Sequence, residues 1–209
     1  MAISGFSTSN YAWISSSVVN NLAPFSMWCW FNDSLANSTQ KALLNFSRAA
    51  NNTDFSGLEV INGTLRFAHN TTSGRVTSSN TYTTNTWNGA GGVFASSTLR
   101  VVYLNGVKNT NTGSSTPVNS FPQLSVGIRK GTTRSAPATG IIIGQCGVWN
   151  GILTDEDFAS LLSGAQPSSV RPDLLMQDWP LIRGIIDTRS IAPTVAGTLT
   201  VSPHPRIYK

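Results

Sequence analysis

Two Asn-Gly dipeptides do most to limit what this chain can fold into. Asn62-Gly63 separates "LEVI" from "TLRFAH", and Asn105-Gly106 separates "VVYL" from "VKNT". Both central residues of a type I′ turn need positive φ, which Asn and Gly tolerate, so each dipeptide predicts a two-residue β-hairpin. The remaining apolar runs are equally short: "FSMWCWF" (25–31), "KALLNF" (41–46), "LRVVYL" (99–104) and "GIIIGQCGVW" (140–149), bounded by Gly, Asn, Ser or Thr. Many short strands with frequent turn signals predict an all-β sandwich or jelly roll of two antiparallel sheets rather than alternating βαβ units. No fixed-period repeat points to a propeller or solenoid.

One segment reads as helix. In "GVWNGILTDEDFASLLSG" (147–164), Thr154 is placed to cap a helix near 155–163, with Asp157 as its capping-box partner. Asp155, Glu156 and Asp157 then sit at the positive end of the helix dipole. Phe158, Leu161 and Leu162 form the apolar stripe, and Gly164 closes the end. Consecutive helical acids point in different directions, whereas calcium needs converging oxygens, so the trio reads as a cap rather than a metal site.

A chain of 209 residues fits one domain over 1–209. Prolines 193, 203 and 205 forbid a long helix near the C-terminus, so residues 185–209 read as a closing strand plus an extended arm. Charged residues are only 11%, and the net charge of +5 arises in residues 1–150. Lys and Arg are not clustered with interleaved aromatics, which argues against nucleic acid. The first residues show no basic and apolar leader pattern, and no apolar run is long enough to span a membrane. Six Asn-x-Ser/Thr triplets, at Asn32, Asn37, Asn45, Asn51, Asn62 and Asn70, are then expected to reflect composition. Cys29 and Cys146 lie in apolar strand-like runs and are expected to be reduced, buried thiols.

Four segments in order carry a family resemblance: "FSMWCWFN" (25–32), "TWNGAGGVFASSTLRVVYLNGVKN" (86–109), "LSVGIRKG" (124–131) and "GIIIGQCGVWNGILTDEDFASLL" (140–162). Together they resemble the laminin-G-like, concanavalin A-like jelly rolls. The likeness implies framework roles in the core for Trp87, Tyr103 and Trp149. A narrower stretch, "SGAQPSSVRPDLLMQDWPLIRG" (163–184) followed by "VSPHPRIY" (201–208), is similar to jelly-roll proteins of tailed bacteriophages, and this implies a virion component.

Because the resemblance extends to glucanases, hydrolysis needs testing, and it would require two carboxylates across a cleft. Glu59 stands without alternating acids along its strand and reads as an outward residue; Glu156 belongs to the helix start. On the closing strand, where many family members carry an acid, this chain has Gly144 and Gln145. His69, His204, Cys29 and Cys146 are too scattered for a zinc site. No nucleophile elbow or phosphate-binding loop is present. No catalytic residue, metal or cofactor is therefore expected. Trp28 and Trp30 alternate onto one face of their run, opposite Phe25, Met27, Cys29 and Phe31, so both faces are apolar. A buried strand reads this way; a glycan-stacking platform is the sharper alternative.

The resulting expectation is a non-enzymatic capsid decoration or cement protein on the virion exterior, contacting the major capsid protein and copies of itself. Its candidate contacts are Arg129, Lys130 and Arg134 in "GIRKGTTRS" and Arg206, Tyr208 and Lys209 in the arm. The alternative is a tail-associated carbohydrate-binding adhesin, using loops or the Trp28/Trp30 face. A glucanase-like hydrolase ranks third.

Overall fold

The computed structural model describes residues 2–15, 24–48, 54–69, 74–115, 121–181 and 193–203. In chain order the strands are β1 (Ala2–Ser4), β2 (Tyr11–Ser15), β3 (Phe25–Asp33), β4 (Lys41–Ser47), β5 (Phe55–Ile61), β6 (Thr64–His69), β7 (Val76–Thr77), β8 (Asn88–Ser96) and β9 (Leu99–Leu104). They continue as β10 (Val107–Asn111), β11 (Gln123–Val126), β12 (Arg129–Lys130), β13 (Arg134–Ser135), β14 (Ile141–Trp149), β15 (Leu175–Trp179), β16 (Thr194–Ala196) and β17 (Thr200–Ser202). A single α-helix, α1 (Asp155–Leu162), interrupts them among the described residues.

Two large antiparallel sheets result. Sheet A has the order β10-β9-β8-β3-β14-β1-β17, with β15 also paired to β14; sheet B runs β16-β2-β11-β4-β5-β6-β7. The chain is an all-β jelly-roll sandwich. Both Asn-Gly hairpins form as the dipeptides require, with φ of 51° and 74° at Asn62 and Gly63 and 52° and 83° at Asn105 and Gly106. The C-terminal portion expected to supply one closing strand supplies two: β16 joins β2 at the edge of sheet B, and β17 joins β1 at the edge of sheet A.

The core between the sheets follows the period of two. Phe25, Met27, Cys29 and Phe31 of β3 face Leu44, Phe46, Leu58, Leu65 and Phe67 of sheet B, and all are buried. The opposite face of β3 carries Trp28 and Trp30 into a second apolar cluster with Val101, Tyr103, Trp149, Phe158 and Leu161. This face is covered by α1 and its flanking loops, not by a third sheet. Ser26 fastens that cover, donating to the Gly151 carbonyl at 2.7 Å and accepting from the Leu153 amide at 2.9 Å. The Trp149 indole donates to the Val170 carbonyl at 2.7 Å and ties down the following segment.

The helix begins on the expected capping box. Thr154 Oγ1 accepts from the Asp157 amide at 3.2 Å, and Asp157 Oδ2 accepts from the Thr154 amide at 2.9 Å. Two glycines of β8 let α1 approach. A Cβ at Gly91 would stand 2.5 Å from Phe158 Cε1, and one at Gly89 would stand 2.5 Å from Trp28 Cη2. Glycine weakens a strand in isolation, so its presence here reflects the ring seated against the backbone.

Candidate functional site

The outer face of sheet B is built by the residues that alternate away from the core: Tyr11 and Trp13 on β2, Asn45 and Ser47 on β4, and Phe55 and Glu59 on β5. Across it lies the short β12–β13 hairpin, formed by "RKGTTRS". Each basic side chain of the hairpin has an aromatic ring against it. Arg129 stands 3.6 Å above the Phe55 ring, Lys130 Nζ 3.8 Å from the Trp13 ring, and Arg134 5.3 Å from the Tyr11 ring. Ser47 Oγ donates to the Lys130 carbonyl, and the Gln123 carboxamide, turned with its nitrogen toward that carbonyl and its oxygen toward the ammonium, bonds both at 3.0 Å.

The three cations differ in how their charge is met. Arg129 is neutralised by Glu59, whose Oε1 accepts from Arg129 Nε at 3.1 Å and from Nη2, while Oε2 accepts from Gln40 Nε2. Lys130 and Arg134 form no ion pair among the described residues. Burial, together with the neighbouring Arg134 guanidinium, lowers the Lys130 pKa from its ordinary value. Both side chains border an open cavity of about 550 Å3, completed by Thr8, Ser9, Gly131, Thr132 and Thr133. This is a polar, cationic, hydroxyl-rich recess.

A second recess of about 380 Å3 lies on the outer face of sheet A beside α1. Its floor is apolar, from Val93, Leu99, Val101 and Ile152, and its rim carries Lys108, Asp155 and Glu156. Asp155 bonds Lys108 Nζ at 2.8 Å and accepts from the Tyr103 hydroxyl at 2.6 Å. The Lys108 and Tyr103 bonds hold the Asp155 carboxyl below its ordinary range, and burial with the Asp155 bond raises the Tyr103 hydroxyl.

Of the predicted contact residues, the structure brings Lys130 and Arg134 together at one recess and turns Arg129 into the partner of Glu59. Arg206, Tyr208 and Lys209, like His204, lie outside the described residues. The stacking expectation for Trp28 and Trp30 is corrected: they are 1% and 6% exposed, and Trp28 packs against Phe158 of α1 at 6.2 Å. Their ring faces are covered, because the helix seals that side of sheet A. Glu59 is corrected as well. It faces outward from the sandwich core as its strand parity requires, yet the hairpin above buries it completely and supplies its counter-charge.

Tyr103 and Trp149 are buried as framework residues, while Trp87 is half-buried against the second cluster. His69 is buried, its ring 4.3 Å from that of Phe94. Cys29 and Cys146 are free, buried and in register on adjacent strands; burial and the Cys29 neighbour push the Cys146 thiol well above its ordinary value. Among the described residues no three His, Cys, Asp or Glu side chains converge as metal ligands. Sequence reasoning missed Tyr11, Trp13, Thr8 and Ser9. The alternation in "NYAWIS" was the available signal for the two rings.

No protein-family model matches this chain, and no curated protein matches its sequence. Solved structures do match. A candidate carbohydrate-binding protein from Bacteroides ovatus superposes with a TM-score of 0.70 at 16% identity, over 96% of this chain and 59% of that one. This chain thus spans somewhat more than half of that protein's length. The heptameric SAP-like pentraxin of Limulus polyphemus superposes with a TM-score of 0.68 at 12% identity, over 95% of this chain and 92% of that one. Domains LG4-5 of the mouse laminin α1 chain align over 71% of this chain and 40% of that one, at 18% identity and a TM-score of 0.49. With identities this low the likeness is one of fold, and the fold is the jelly roll that the Bacteroides ovatus protein and the pentraxin share.

Proposed function

We propose that this chain is a non-catalytic, carbohydrate-binding jelly roll. The observation that carries the reading is the recess at the β12–β13 hairpin, where four hydroxyl side chains and two cations border one cavity of about 550 Å3. Sugars are recognised by convergent hydroxyl, amide and charged groups held on a rigid frame, and here the cations are fixed from behind by Trp13 and Tyr11. The carbohydrate-binding description of the Bacteroides ovatus protein of like fold agrees with it. A hydrolase reading has less support, since Glu59 is neutralised by Arg129, Asp33 by Lys41 and Asp155 by Lys108. The test is a glycan array covering neutral and acidic oligosaccharides, with hits confirmed by calorimetry. Selective binding of a glycan class is expected; no binding across the array overturns the reading.

A contact role at the sheet edges is the second reading, favoured by Val195 and Val201, which are 45% and 49% exposed on the edge strands β16 and β17. Capsid decoration is its specific form and rests on the phage-like resemblance of residues 163–184 and 201–208. Quantitative mass spectrometry of purified virions tests it: a copy number comparable with the major capsid protein supports decoration, and absence from the particle removes it.

A further inference from the structure

The hairpin register places Lys130 directly opposite Arg134. Like charges facing each other on paired strands repel, and among the described residues no carboxylate stands within ion-pair distance of either. Arg129 supplies the contrast one position earlier, because Glu59 meets its charge. The neighbours of Lys130 and Arg134 are instead ring faces and a neutral carboxamide, which orient the cations without cancelling them. Lowering of the Lys130 pKa by burial and by Arg134 agrees with a crowded positive pair. The pair opens onto a cavity far larger than a bare oxyanion, rimmed by the hydroxyls of Thr8, Ser9, Thr132 and Thr133.

Building on the carbohydrate reading, we propose that this recess takes the oxyanion of an acidic sugar. Lys130 and Arg134 hold the charged group, a sulfate ester or a carboxylate, and the surrounding hydroxyls bond the neighbouring sugar hydroxyls. The negative group supplies the counter-charge that the hairpin lacks, so ligand binding also relieves the repulsion between its two strands.

Calorimetric titration of the whole chain tests this with four probes: a sulfated galactan hexasaccharide, an oligogalacturonate of the same length, the unsulfated galactan hexasaccharide, and inorganic sulfate. At least one acidic oligosaccharide is expected to bind about tenfold or more tighter than the neutral one, and which one identifies the group. That preference is expected to disappear in the Lys130→Gln/Arg134→Gln variant and to persist in Lys108→Gln, whose cation lies on the other sheet. A rise in the melting temperature of the unaltered protein with the acidic sugar, and not with the neutral one, checks the result without any variant. Equal binding of acidic and neutral sugars overturns the inference and leaves the carbohydrate reading standing. Inorganic sulfate binding as tightly as the sulfated sugar overturns it in favour of a simple anion site. An acidic preference that survives the double variant overturns the placement, and no binding of either acidic sugar overturns the inference, while the glycan array decides the carbohydrate reading separately.

Discussion

Removing the Arg129 guanidinium is expected to destabilise the fold by about 3 kcal/mol, a value that follows from the setting of Glu59. Its carboxylate is fully buried, and the guanidinium opposite is only 13% exposed. Both donors to Oε1 come from Arg129, while Gln40 serves Oε2. Arg129→Met keeps apolar contact with Phe55 but strips Oε1 of its donors and leaves a buried charge with one neutral partner. Breaking a buried pair from one side costs about 3–5 kcal/mol, and the surviving Gln40 bond sets the expectation at the lower end. For a chain of this size that lowers the melting temperature by roughly 6–12 °C. Adding Glu59→Gln removes the orphaned charge, so the double variant is expected to regain at least about half of the loss. Urea unfolding followed by tryptophan fluorescence measures all three variants and the parent. A loss below about 1 kcal/mol in Arg129→Met, or simple additivity in the double variant, would refute the reasoning.

Gly91→Ala is expected to lose about 1–3 kcal/mol in the same assay, since the added Cβ would stand 2.5 Å from a Phe158 ring already stacked on Tyr103 at 4.1 Å; an unchanged midpoint contradicts the seating of α1 on β8. Asp155→Asn is expected to cost no more than about 0.5 kcal/mol at pH 7, because the carboxylate is largely exposed. Its folded-state pKa is depressed by Lys108 and Tyr103, so this contribution is present above the unfolded value of about 4 and is lost as pH falls through the folded one. The difference between parent and variant should therefore shrink as the pH falls from about 4 through that folded value, and a difference that does not shrink on acidification contradicts the ion-pair origin. Cys29 and Cys146 are expected to resist an aromatic disulfide reagent in the native state and to react after unfolding, as judged by thiol release; rapid native labelling contradicts their burial.

Local chemistry was the legible part of this sequence. Asn62-Gly63, Asn105-Gly106 and the Thr154–Asp157 capping box each specify a conformation within a few residues, and each formed as read. The parity of β3 was equally clear, with Trp28 and Trp30 on one face and Phe25, Met27, Cys29 and Phe31 on the other. What covers each face was not, because a strand's own pattern does not say whether a sheet or a helix lies above it. For that reason Trp28 and Trp30 could be read as a sugar platform. Pairing across large sequence separations was hidden for the same reason. Glu59 and Arg129 are 70 residues apart, and only the folded hairpin joins them. Lys130 and Arg134 were visible as a basic run, but Tyr11 and Trp13 come from the opposite end of the chain.

The two edge ladders at the C-terminus also fix the order in which this molecule can be completed during synthesis. β1 pairs with β17 through Ala2 and Ser202, and β2 pairs with β16 through Trp13 and Thr194. At about 5–20 residues per second, the N-terminal strands leave the ribosome roughly 10–40 seconds before their last partners exist. Through that interval Ile3 and its neighbours offer an unpaired backbone edge, which is the surface by which nascent chains join one another. A chain halted before residue 194 therefore lacks an edge strand on each sheet, and the nine-residue segment Thr194–Ser202, which passes from sheet B to sheet A, acts as the clasp that closes both edges.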